Sequence, residues 1–171
     1  SEPGRDFLAD LAVDWETAAA PVAALGCRLV TVRTAVVLAR GDGALPKMAL
    51  PFRFLAGGPV GSGRQYMSWI TIDDWVALVE WVIDAPAVAG AINASAPSPV
   101  TNAEFSVAIG RALRRPSWLR APAFALRAML GEMAEALLLR GQRVVPARAV
   151  AEGFVFQHAS IDEALEHVLA R

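Results

Sequence analysis

The sequence has a single cysteine, Cys27, and only two histidines among its 171 residues. One thiol excludes an intramolecular disulfide framework and any multi-thiolate metal site. It suits a reducing compartment, so the cytoplasm is the expected location. His158 and His167 have no acidic or thiol cluster at ligand spacing, which argues against a metal site and against histidine-based nucleophilic catalysis. No G-x-S-x-G elbow is present either. An excess of either charge is also missing: 16 Lys and Arg against 17 Asp and Glu leave a formal charge of −1. Nucleic acid and anionic membrane are therefore not expected partners. No stretch reaches the roughly 18 apolar residues of a membrane span, and SEPGRDFLAD lacks a charged-then-apolar signal pattern. SEPG instead reads as a turn between two elements of a longer protein.

What is present is apolar residues, at 55% of the chain, enough for one folded domain with a sizeable core. Phe7, Leu11, Trp15, Ala18 and Val22 recur at helical spacing and predict a helix ending near Gly26. CRLVTVRTAVVL, residues 27–38, is β-branched with little alternation, the pattern of a strand covered on both faces in a parallel sheet. Leu45, Met48, Ala49 and Phe52 predict a short helix limited by Pro51. YMSWITI and GAINAS predict strands, and each leads towards a capping signature: Thr71 with Asp74, and Thr101 with Glu104. Helices with faces Trp75, Leu78, Val79, Val82 and Phe105, Ala108, Ile109, Ala112 follow, the second stopped at Arg114-Arg115-Pro116. Residues 122–139 read as helix with only Gly131 against it, and Ser160 with Glu163 caps a last helix through Leu165 and Val168. Trp69, Trp75 and Trp81 recur every six residues, which matches no single helix face and predicts core or interface packing. The fold class is α/β and helix-rich, with a few parallel strands in the first hundred residues.

GGPVGSGRQ, residues 57–65, is the one stretch whose composition suggests a ligand. As a phosphate loop it fails on chemistry. Arg64 stands where a lysine is needed, Gln65 stands where a hydroxyl should hold Mg²⁺, and a strand rather than a helix is predicted next. As a dinucleotide fingerprint it fails because Tyr66 replaces the third glycine. Two readings stay open. It is a turn whose glycines supply positive φ, or a substrate loop in which Arg64 clamps an anion, Gln65 reads hydroxyls and Trp69 offers an aromatic face. Asp73 and Asp74, adjacent and just ahead of an apolar helix, read as N-terminal caps rather than metal ligands.

LPFRFLAGGPVGSGRQYMSWITIDD, residues 50–74, resembles a segment of extended short-chain dehydrogenase/reductase relatives, in particular the epimerase-family proteins labelled as nucleotide-sugar epimerases or cell-division-inhibitor homologues. DFLADLAVDWETAA resembles that family's helix before the sixth strand, and RLVTVRTAVVLARGDGAL the strand itself. GAINASAPSPVTNAEFSVAIGRALRRP and LLLRGQRVVPARAVAEGFVFQHASIDEAL resemble its later segments, the last being its own C-terminal extension. The resemblance implies the C-terminal part of a Rossmann-like fold. Residues 1–40 would be its last helix–strand unit, 41–120 a substrate-binding region and 121–171 the helical extension.

The glycine-rich fingerprint for NADP or NAD belongs to an N-terminal half not contained in these residues, so that half is an implied partner. By position, Arg33, Thr34, Ala35, Val36 and Val37 would pass beside the nicotinamide. Arg64, Gln65 and Trp69 would line the cleft of a small-molecule substrate, with Lys47 and Arg53 as anion contacts. Ala35 replaces the usual glycine, and Met67 and Ser68 replace the Arg and Asp common in nucleotide-sugar epimerases. The Tyr-x-x-x-Lys pair of extended reductases would fall near Leu8 and Ala12, neither of which does proton chemistry. Two expectations result: the substrate-binding half of an NAD(P)-dependent epimerase or reductase-like protein, or a non-catalytic ligand- or partner-binding module. Homodimerisation through strand 27–38 is expected where that strand is left as an edge.

Overall fold

The structure is a computed structural model, and it describes residues 7–131 and 139–169. The first helix, α1 (Phe7–Ala19), runs into a 3-10 turn over Ala20–Leu25, which Gly26 ends at φ 77° with its N–H on the Ala23 carbonyl. No residue of either segment is buried, and Phe7 and Trp15 are 77% and 69% exposed. The apolar spacing is there, but among the described residues nothing covers that face.

Residues 27–38 form two strands rather than one, β1 (Val30–Thr34) and β2 (Val36–Leu38). The break is at Ala35. Its N–H goes to the Ala94 carbonyl, whereas the Val36 N–H goes to the Ser68 carbonyl, so the chain leaves one neighbour and joins another within a single residue. β1 pairs in parallel with β5 (Gly90–Ala94), and β2 pairs in parallel with β4 (Trp69–Thr71). Burial on both faces is not met in β1, where Arg33 and Thr34, pointing to opposite faces, are both exposed. YMSWITI also divides, into β3 (Tyr66–Met67), antiparallel to β6 (Val100–Thr101), and β4.

α2 (Ala44–Arg53) buries Leu45, Ala49 and Phe52 and carries Pro51 inside its last turn, two residues further than the proline was expected to allow. α3 (Ile72–Asp84) and α4 (Asn102–Leu113) start as the capping signatures predict. The Thr71 hydroxyl accepts the Asp74 N–H at 3.2 Å, and Thr101 with Glu104 forms a reciprocal capping box. α5 (Ala123–Leu130) stops at Gly131 (φ 58°, ψ −138°), so helix is not continuous through that glycine. The remainder of the predicted helix up to residue 138 lies outside the described residues. α6 (Ala147–Ala151) and α7 (Ile161–Leu169) complete the chain.

Two apolar clusters result. One joins Leu38, Leu45, Phe52, Trp69, Phe105, Ile109 and Leu165, binding α2, α4 and α7 to β2. The other joins Ile70, Leu78, Val82, Ile92 and Phe154, with Val30 and Val32 packed against it. Trp69 takes a core position, while Trp75 and Trp81 are half-buried against the second cluster; the Trp81 ring tilts on Phe154 with centroids 5.5 Å apart.

Candidate functional site

The glycine loop lies between two supports. On one side the Gly57 carbonyl accepts the N–H groups of Trp118 and Leu119, the Ala121 N–H reaches the Pro59 carbonyl, and the Gly61 N–H reaches that of Ala121. A Cβ at Gly58 would come 2.3 Å from the Leu119 carbonyl oxygen, so this backbone-to-backbone approach requires glycine. On the other side the loop meets the start of α4. Asn102 donates its N–H to the Gln65 carbonyl and Ala103 donates to that of Gly63, while the Asn102 side chain accepts the Val60 N–H at 2.7 Å. The first amides of α4 are thus spent on loop carbonyls. The loop's own amides at Val60, Gly61, Gly63 and Arg64 are also bonded within the chain, so they are not open to cradle a phosphate.

Gln65 buckles the loop. Its side chain donates to the Val60 carbonyl at 2.9 Å and accepts the Ser62 hydroxyl at 3.3 Å. Arg64 projects from the buckled loop, exposed, with no ion pair among the described residues. Lys47 and Arg53 are exposed on α2. Trp69, expected on the cleft wall, is instead fully buried, and its indole N–H donates to the Ser98 carbonyl. Its place in β4 turns the ring into the core shared with Phe105 and Leu165.

On the neighbouring strands, Arg33 is held by Glu16 of α1 through two 2.7 Å bonds. That side-chain pairing keeps the Glu16 carboxyl below its usual range and raises Arg33 further. The Thr34 hydroxyl accepts the Trp75 indole N–H at 3.2 Å. Ala35 and Val36 have their amides in the strand crossover, so with Val37 they offer apolar contact rather than free donors.

Sequence reasoning missed a strap. The segment from Gly141 to Val145 crosses the ends of β3, β4 and β5. The Ser68 hydroxyl donates to the Gln142 carbonyl at 2.7 Å and accepts the Val144 N–H at 2.9 Å. Asn93 and Ser95 donate to the carbonyls of Val145 and Val144. Gly141 presses on Tyr66, and Arg143 sits over the Tyr66 ring at 5.9 Å. Contacts 49 to 76 residues apart leave no local signature; Gly141 is the one residue type that hinted at a close approach.

The histidines meet at the far end of the extension. Their rings stack at 4.5 Å, and His167 pairs with Asp73 at 2.8 Å. Asp74 is fully buried and does more than cap α3, accepting the backbone N–H groups of Gln157 and His158. Among the described residues no group of three or more metal-ligating side chains occurs, and no helix is long and apolar enough to cross a membrane.

Two parallel strand pairs with helices packed against them define an α/β protein of the Rossmann-like class. Comparison narrows this. Residues 121–168 match a domain of unknown function (DUF1731). The chain is 46% identical over 168 residues to an epimerase family protein of Mycobacterium leprae and 45% identical over 166 residues to the mouse epimerase family protein SDR39U1, covering 98% and 96% of this chain. Among solved structures, human SDR39U1 with NADPH superposes with a TM-score of 0.92 at 36% identity, over 99% of this chain and 62% of that one. A nucleoside-diphosphate sugar epimerase from Corynebacterium glutamicum superposes at 0.80 with 34% identity, over 99% of this chain and 32% of that one. The chain belongs with the epimerase family proteins of the SDR39U1 type and corresponds to their C-terminal part. It spans about half the length of these curated relatives, 55% and 56%.

Proposed function

We propose that this chain is the substrate-binding half of an NAD(P)-dependent epimerase or reductase-like protein. The observation that carries the reading is the crossover at Ala35, where β1 and β5 end, β2 and β4 begin, and the chain bonds Ser68, four residues beyond Arg64. Ligands of open α/β sheets bind outside such strand ends. Arg33 to Val37 would flank the nicotinamide, the apolar stretch Ala35 to Val37 packing on its ring. Arg64 would take an anionic group of a small-molecule substrate, with Lys47 and Arg53 at the periphery and Gln65 keeping the loop in shape. NADPH bound to the related human protein supports a nicotinamide cofactor, supplied with hydride chemistry by an N-terminal half. The single, exposed Cys27 supports a cytoplasmic location.

A second reading has its own observation. By the resemblance, the places of a Tyr–Lys pair fall near Leu8 and Ala12, which favours a module that binds without catalysing. Joined to a cofactor half, the chain is expected to give a fluorescence or calorimetric response to NADPH or NADH. Silence towards both would sink the first reading and leave the second.

Without that half, the exposed face of α1 and the outer edge of β1 favour a homodimer. Sedimentation as a monomer would contradict this.

A further inference from the structure

We propose that Arg143, carried by the C-terminal strap, is a second anion-binding residue of the substrate site, and that it holds one compact oxyanion of the substrate together with Arg64. This rests on the reading that the glycine loop faces substrate.

The backbone on both sides of Arg143 is fixed. The Ser68 hydroxyl bonds the residue before it and the residue after it, at Gln142 and Val144. Two residues earlier Gly141 lies so close to Tyr66 that a Cβ would stand 2.4 Å from the Tyr66 carbonyl oxygen and 2.5 Å from its nitrogen. A strap pinned this tightly nevertheless leaves the Arg143 side chain exposed. Its guanidinium carbon lies 5.9 Å from the centroid of the Tyr66 ring. An aromatic face orients a guanidinium while leaving its N–H edges available for an oxyanion.

Four arginines elsewhere in the chain are occupied, whereas Arg40, Arg53, Arg114, Arg115 and Arg120 are, among the described residues, as unspent as Arg64 but do not touch the strap's Tyr66 contact. Arg33 pairs with Glu16, Arg111 with Asp162 and Arg148 with Glu152, while Arg28 is spent on backbone carbonyls. Arg64 and Arg143, which both border the stretch from Arg64 to Tyr66, have no ion pair among the described residues. Arg64 lies two residues from Tyr66 and Arg143 lies over its ring, so the two guanidiniums would close on a phosphate or carboxylate from separate parts of the chain.

The test observes arginine Nε–H resonances while the protein is titrated with inorganic phosphate and, separately, with succinate. Arg64 and Arg143 signals are expected to move along one saturating curve, and the stronger of the two probes identifies the oxyanion. Arg143→Gln and Arg64→Gln should each weaken binding about tenfold, the equivalent of one charge-assisted hydrogen bond, with melting temperature unchanged. Arg143→Lys should fall between wild type and Arg143→Gln. If Arg64→Gln abolishes binding and Arg143→Gln leaves it intact, the proposal is overturned while the substrate-loop reading stands. If neither probe saturates either signal, both are overturned.

Discussion

Asp74 and His158 lie 84 residues apart in sequence, and the His158 backbone N–H donates to the Asp74 carboxylate at 3.0 Å. Gln157 donates to the same carboxylate at 2.7 Å and the Thr71 hydroxyl at 3.1 Å, so a fully buried acid joins the start of α3 to the approach to α7. Hydrogen bonds to a charged group contribute about 1.5–3 kcal/mol each, and a buried donor left alone costs its desolvation. Asp74→Ala should therefore destabilise the chain by about 3 kcal/mol or more in urea unfolding. Amides of 157–168 should exchange faster first. Uniformly faster exchange across the core would argue against a local joint.

Arg28 reaches across to the end of α3, donating to the carbonyls of Val82, Ile83 and Val88 at 2.8–3.0 Å. These include carbonyls that the last turn of α3 cannot satisfy. Arg28→Ala is expected to cost about 1–2 kcal/mol, and Arg28→Lys to recover only part, since one ammonium cannot span the fork. Full recovery by lysine would show that charge at the helix terminus, not geometry, matters.

Gly141 has no room for a side chain against Tyr66. Gly141→Ala should lift the strap, breaking the Ser68 bonds to Gln142 and Val144 and exposing residues 142–145 to proteolysis. Protection equal to wild type would mean that the strap adjusts around the methyl group.

The capping box of α4 should titrate. The Thr101 backbone N–H, then its hydroxyl, hold the Glu104 carboxyl below its ordinary value of 4.5. A depressed pKa gives stability that is present above the unfolded value and lost as pH falls through the folded one. The stability gap between wild type and Glu104→Ala should therefore be full above about pH 5 and shrink in acid. Glu104 is exposed, so screening keeps the gap under about 1 kcal/mol. Thr101→Ala should cost about 1 kcal/mol at neutral pH and less in acid, since it also removes one of the bonds to that carboxylate. A gap that widens in acid would contradict this sign.

Local signals were legible in the sequence. Both T-x-x-[DE] caps start helices where they stand, and the β-branched run 27–38 does make parallel strands, because caps and side-chain branching act within a few residues. The break at Ala35 was not legible, since it depends on the partners Ala94 and Ser68 brought from far along the chain. The same distance explains the site. Arg64 could be singled out from its loop, whereas burial of Trp69 and docking of the strap are set by tertiary packing that composition does not encode. Gln65, expected to read hydroxyls, bonds within its own loop.

Ala164, Leu165 and Val168 share one apolar cluster with Leu38, Leu45 and Trp69. During synthesis that cluster stays open, its strand and two helices lacking a lid, until the ribosome has passed residue 168. Nascent chains stalled earlier would present this greasy surface to chaperones, and a premature stop anywhere in α7 would act like a core deletion rather than a trimmed tail.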